Sequence, residues 1–169
     1  MKTMLLFLSI IASPIWPLGP NPIVGDPFII INKQTNELAY INQNAIQEIY
    51  PVATGKSKDL TPEGEFTVIV KAVDPYYRKK DIIGGDPKNP LGTRWIGFDA
   101  KESDGRTYGI HGTNNEDSIG YYVTQGCVRM ENKNVENLFE DIPLGTRLLI
   151  LNSNDTFEEL AIKHGAMKK

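Results

Sequence analysis

Apolar and polar positions along this chain alternate with a period of two far more often than with a period near 3.6, the signature of strands. "PFIIINK" (27–33) and "ELAYIN" (37–42) are β-rich runs parted by the turn-forming "QTN", which predicts a hairpin. "AIQEIYPVATG" (45–55) continues the pattern to a glycine. In "GEFTVIVKA" (64–72) the alternation puts Phe66, Val68 and Val70 on one face and Glu65, Thr67 and Lys71 on the other. Further strands are predicted over 94–100, 106–112 and 145–152. Helical spacing occurs twice. Over 132–142, Val135, Leu138 and Phe139 share a face, with Asn134 as N-cap. Over 154–166, Asp155 precedes Glu158 by three residues, a variant of the capping box. The stretch 73–93, rich in Pro and Gly, follows neither period, and a long irregular insertion in a compact domain is usually functional. Many strands with one or two short helices predict an all-β domain, a sandwich or barrel-like fold.

The first residues break this pattern. "MKTMLLFLSIIASPIWPLG" has one positive charge, Lys2, an apolar run from Met4 to Ile11 and a proline-rich exit. Residues 1–20 therefore read as a signal peptide or apolar leader. An N-terminal strand packed on the domain and an uncleaved anchor are the alternatives. The 169 residues hold one domain, placed at 27–152, with 153–169 as a helical extension. The net charge of -3 and the lack of any Lys/Arg block remove the electrostatic footprint of a nucleic-acid binder.

The single cysteine, Cys127, has no partner for an internal disulfide, which in an exported chain points to intermolecular pairing or a free reactive thiol. One Cys with two distant histidines, His111 and His164, fits none of the usual zinc spacings, so the sequence signal for a metal site is weak. His164, beside Gly165, reads as a helix C-terminal residue suited to the dipole.

A cysteine nucleophile needs a base, access to substrate and donors for the developing oxyanion. "IHGTNNEDSIGYYVTQGCVRM" (110–130) holds candidates for each. His111 ends a predicted strand at Gly112. Gly126 lets the backbone approach a substrate closely. N–H groups at Gly126 and Cys127 are oxyanion donors, and Arg129 lies on the side of Cys127 if the chain is extended. Thr113, Asn114, Ser118 and Thr124 are candidate groove residues, with turn and cap roles as the alternative. Tyr121 and Tyr122 read as substrate-facing or simply as strand residues. Arg78, Lys79 and Lys80 read as a patch for an anionic polymer or as a solvated charge run. From the residues alone, a buried structural cysteine and a hydrogen-bonded strand-end histidine fit as well as a catalytic pair.

The block His111-Gly112-Thr113, followed by Thr124-Gln125-Gly126-Cys127-Val128-Arg129, resembles the catalytic domain of the L,D-transpeptidases, the YkuD-type fold. "PVATGKSKDLTPEGEFTVI" (51–69) and the "PLGTR" turn before the last strand are similar to the family as well. The resemblance spans roughly 27 to 152. A histidine that some members carry before the Gly-Cys step is Gln125 here. The resemblance implies a cysteine acyltransferase that needs no metal or cofactor. In that reading Cys127 is the nucleophile and His111 the base, oriented by a backbone carbonyl at the His-Gly step rather than by Glu116 or Asp117. Gly112, Gly126 and Arg129 support the site, with Arg129 also on a substrate carboxylate. The implied substrate is the peptidoglycan stem peptide, acylated at the L-centre of its third residue with loss of D-Ala and joined in 3-3 crosslinks. The implied enzyme is an extracytoplasmic monomer, loosely attached to the membrane at most through its leader, and open to acylation by carbapenems. The segment 73–93 is a candidate lid. The alternatives are an L,D-carboxypeptidase, an enzyme anchoring a protein lysine to the wall, a sortase-like enzyme, a redox-sensing thiol, and a non-catalytic wall-binding module of the same fold.

Overall fold

The computed structural model describes residues 24–169, so the leader proposed for 1–20 lies outside the described residues. In chain order the strands are β1 Phe28–Asn32, β2 Glu37–Asn42, β3 Ala45–Pro51, β4 Thr54–Gly55, β5 Gly64–Val73, β6 Arg94–Phe98, β7 Tyr108–His111, β8 Tyr122–Thr124, β9 Val128–Arg129 and β10 Arg147–Leu151. Helix α1 is Asn132–Asp141 and α2 is Phe157–Lys163. The fold is mostly β, as the alternation predicts.

Eight strands form one sheet in the order β3-β2-β1-β10-β5-β6-β7-β9, and β4 pairs with β8 apart from it. The last strand, β10, does not close the series at an edge. It slots between β1 and β5, parallel to β1. The chain leaving edge strand β3 crosses to the opposite edge, where the Ala53 N–H donates to the Arg129 carbonyl at 2.8 Å and the Arg129 N–H returns the bond at 2.9 Å. The sheet is thereby curled into a half-barrel, and its β9 edge is covered rather than left open for aggregation.

Inside the curl, Ile29, Ile31, Ile96, Phe98, Ile110 and Val128 pack with Val135, Leu138 and Ile142 of α1 and its exit. On the outer face, Phe28, Ile30, Ala39, Ile41 and Leu149 pack under Leu160, Ala161 and Ala166. This is why "FIIIN" does not alternate: β1 is covered on both faces. Each isoleucine there is fully buried, stabilising the fold by roughly 1.5–3 kcal/mol per side chain. The tail at 153–169 is thus part of the packed domain.

Three local expectations are corrected. The N-cap of α1 is Glu131 rather than Asn134, whose Nδ2 instead donates to the Glu131 carboxylate at 3.3 Å. The capping box of α2 lies one residue further along than expected. Thr156 Oγ1 accepts from the Glu159 N–H at 3.2 Å and the Glu159 carboxylate accepts from the Thr156 N–H at 2.9 Å, while Asp155 faces Lys163 at 4.0 Å.

The third correction shapes the site. A bulge between Val68 and Val70 shifts the register of β5 against β6. Val68 stays in the core, but Val70 and Ala72 turn to the other face, where they line a cleft. Lys71 turns toward α1, donates to the carbonyls of Phe139 and Ile142, and sits 4.2 Å from the Phe139 ring centroid.

Candidate active site

The sheet register brings the key residues together. β7 and β9 run parallel, with His111 opposite Arg129. Cys127 is two residues before Arg129, so it lies on the same face, one strand repeat of about 7 Å along the sheet. The antiparallel pair β6–β7 sets Trp95 opposite His111 on that face. Cys127, Trp95, Val70 and Ala72 open into a cleft of about 600 Å³.

The segment 73–93 forms the far wall of this cleft through Pro75, Tyr76, Tyr77, Arg78, Lys79 and Leu91. It is an ordered structure of its own. Buried Asn89 donates through Nδ2 to the carbonyls of Pro75 at 2.8 Å and Ile83 at 3.1 Å, and accepts from the Leu91 N–H at 2.9 Å. Lys79 faces the sulfur closely enough for its charge to favour the thiolate.

His111 is buried, and its Nδ1 lies 2.6 Å from the Gly112 carbonyl. The tautomer that donates there carries its lone pair on Nε2. Burial holds its pKa down to about 4; hydrogen bonding to the Gly112 and Leu91 backbone pulls it up and the charge of Arg129 pushes it down further. The imidazole is therefore neutral at pH 7 and fit to accept a proton. Its ring lies against Trp95, with centroids 5.6 Å apart and planes 12° from parallel.

Cys127 is half-buried, and its Sγ lies 3.6 Å from the Thr107 carbonyl. Burial pushes its pKa up; the Gly109 N–H, Lys79 and Arg129 pull it down without offsetting the burial. The pair therefore rests as thiol and neutral imidazole. Among the described residues the sulfur donates to the Thr107 carbonyl and makes no hydrogen bond to His111.

The loop before the cysteine is built to expose one amide. Gly126 has φ of 133°, a conformation side chains avoid, and a Cβ there would stand 2.6 Å from the Leu60 carbonyl. Its N–H, expected to be an oxyanion donor, is turned to Thr124 Oγ1 at 3.2 Å. The Thr124 hydroxyl donates to the Cys127 carbonyl at 2.7 Å. Among the described residues no acceptor engages the Cys127 N–H, so this amide is available to a ligand in a way that the Gly126 amide is not.

Three residues expected to line the groove are instead buried supports, because their hydroxyls satisfy the loop's own backbone. Thr124 is one. Thr113 Oγ1 donates to the Asn115 carbonyl at 3.2 Å and accepts from the Asn115 N–H at 3.0 Å. Ser118 Oγ donates to the Asn115 carbonyl at 2.5 Å and accepts from Arg129 at 2.9 Å, which fixes the guanidinium beside the site. Asn114 donates to the Lys88 carbonyl at 3.0 Å and ties this loop to the segment 73–93. The Tyr122 hydroxyl bonds to the Lys33 and Gln34 carbonyls, away from Cys127, and Tyr121 is exposed. His164 faces Glu65 at 2.9 Å, at the α2 end.

Two residues escape a reading of the sequence. Trp95 is one. Asn132 is the other: its Oδ1 accepts from the N–H groups of Thr93 at 3.2 Å and Thr113 at 3.1 Å, and its Nδ2 donates to the Thr113 carbonyl at 2.8 Å. It thus clamps the His-Gly-Thr segment to the end of the segment 73–93. Its place at the start of a helix is the only signal it offers.

Comparison with known proteins agrees with this geometry. A family model described as the L,D-transpeptidase catalytic domain, YkuD, matches residues 26–150. The Bacillus subtilis protein YqjB, provisionally named an L,D-transpeptidase, is 60% identical over 169 residues, covering 100% of this chain and 96% of its own. YkuD of the same organism, provisionally named likewise, is 36% identical over 131 residues, covering 78% of this chain and 70% of its own. The catalytic domain of the Enterococcus faecium L,D-transpeptidase has the same fold, with a TM-score of 0.57 at 20% identity, covering 76% of this chain and 98% of that one. Longer solved chains are spanned over about half their length, 51% for an avibactam carbamoyl enzyme.

Proposed function

The chain belongs to the L,D-transpeptidase family, and on that premise we propose that it is a peptidoglycan L,D-transpeptidase acting outside the cytoplasm through Cys127. The observation that carries the reading is the parallel β7–β9 register. It pairs His111 with Arg129, two residues on from Cys127, whose thiol opens into the cleft, and this supports reading the two as a base and a nucleophile.

The donor stem peptide lies in the cleft with its third-residue carbonyl against Sγ. As the C–S bond forms, the thiol proton passes to Nε2 of His111, and the oxyanion is held by the Cys127 N–H. Collapse of the tetrahedral adduct breaks the C–N bond. The departing D-Ala amine takes the proton from His111, and a thioester remains on Cys127. An amine from a second stem then attacks the thioester and gives its proton to His111. The sulfur leaves and is reprotonated, and a 3-3 crosslink is released. Arg129, fixed by Ser118, and Lys79 of the lid stabilise negative charge at the sulfur and suit a substrate carboxylate.

Intact-protein mass after incubation with a carbapenem tests the nucleophile. The expected result is one added drug mass on the wild type and none on Cys127→Ala. An equal adduct on both proteins, or none on folded, reduced wild type, overturns the assignment.

A further inference from the structure

The imidazole of His111 meets only backbone groups along its edge, the Gly112 carbonyl at 2.6 Å and the backbone of Leu91. Contacts in the ring plane restrain the edge and leave the two faces to packing, since the terminal torsion of histidine is broad. Four positions on β6, β7 and the connection between them govern what covers that ring. Trp95 lies flat against it, at 5.6 Å and 12°. The indole is pinned in turn, because its Nε1–H donates to the buried Gly105 carbonyl at 2.8 Å. On the same face, Gly109 leaves the space the indole occupies, as a Cβ there would lie 2.6 Å from Trp95 Cζ2. Gly97 leaves the space of the pinning carbonyl, 1.8 Å from where its Cβ would be. Three residues beyond Trp95 are thus committed to the placement of one aromatic plane. That plane also forms the cleft wall beside Cys127.

We propose that Trp95 is the positioning residue of the general base. Its indole fixes the plane of His111 beside the nucleophile segment and excludes water from one ring face. The proposal rests on reading His111 as the base. The charged and titratable groups facing His111 are Cys127 and Arg129 of the nucleophile segment, with Arg78 and Lys79 on the lid and Asp104 and Arg106 on the β6–β7 connection bordering the same cleft. Replacing an indole leaves all of them in place.

The test compares Trp95→Phe and Trp95→Leu with wild type, using carbapenem acylation of Cys127 followed by mass across pH, together with the imidazole nitrogen shifts of His111 by NMR. Trp95→Leu is expected to slow the acylation step about 10- to 100-fold with drug affinity changed less than about threefold. It is also expected to move the His111 titration upward toward its ordinary value of 6.5 as water reaches the ring. Trp95→Phe keeps an aromatic face without the pinning N–H and is expected to fall between. If Trp95→Leu does not fold, the phenylalanine variant carries the same two readouts. A folded variant with the wild-type titration and acylation rate overturns the proposal. Loss of the base reading is a separate outcome: His111→Gln acylating as fast as wild type removes the premise, whatever Trp95 does.

Discussion

Replacing His111 by glutamine should flatten the acid side of the stability curve by an amount the structure fixes. The ring is buried, and its pKa is held at about 4 against an ordinary 6.5. Between those values the unfolded chain binds a proton that the folded one refuses, so acid pulls the equilibrium toward unfolding. The neutral ring's contribution is fully present above about pH 6.5 and is lost as pH falls toward about 4. Over the full 2.5-unit gap this amounts to about 3.4 kcal/mol, and by pH 4.5 about 2.5 kcal/mol of it is gone. The assay is urea unfolding of wild type and His111→Gln at several pH values from 7.5 to 4.5. Carboxylates titrate in the same range, but they are shared by both proteins and drop out of the difference. Glutamine also loses the stack on Trp95, which offsets the two curves equally at every pH. The expected result is that wild type loses about 2.5 kcal/mol more than the variant over this range. Parallel curves would show that His111 titrates normally and is not the buried neutral base described here.

Carbapenem acylation of wild type should be roughly flat from about pH 5.5 to 8, because the reacting pair is thiol and neutral imidazole; a tenfold rise across that range would point to a pre-formed thiolate instead. Asn132→Ala should cost about 2–3 kcal/mol in urea unfolding, since it removes three hydrogen bonds of the His-Gly-Thr clamp, while Asn134→Ala should stay within about 0.5 kcal/mol. Gly126→Ala should slow acylation by about 100-fold, because φ of 133° and the Leu60 carbonyl leave no place for a Cβ and the exposed Cys127 amide would move; unaltered kinetics would place the oxyanion donor elsewhere. Thr156→Ala should destabilise the chain by about 1 kcal/mol with Asp155→Ala nearly neutral, as read by thermal unfolding.

Much of the fold was legible because alternation and turn residues act locally. "ELAYIN" coincides with β2, and the hairpin with β1 follows from the turn between them. Sheet order was not legible. The insertion of β10 between β1 and β5 depends on packing across more than a hundred residues, which periodicity does not carry. The bulge in β5 was equally hidden, since one extra residue reverses the facing of Val70 and Lys71 without altering the composition of the strand. At the site, the motif made Cys127, His111 and Arg129 visible. The hydroxyls of Thr113, Ser118 and Thr124 were misplaced because a polar side chain in a loop reads as exposed until its backbone partners are known. Asn132 and Trp95 act across strands, and their neighbours in sequence say nothing of what they touch.

The most direct test of the central claim is incubation of the purified protein with disaccharide tetrapeptide, followed by mass spectrometry of the muropeptides. The account predicts release of D-Ala and a 3-3 linked dimer with wild type and neither with Cys127→Ala. Tetrapeptide left intact by folded wild-type protein, or turnover that survives loss of Cys127, would contradict it.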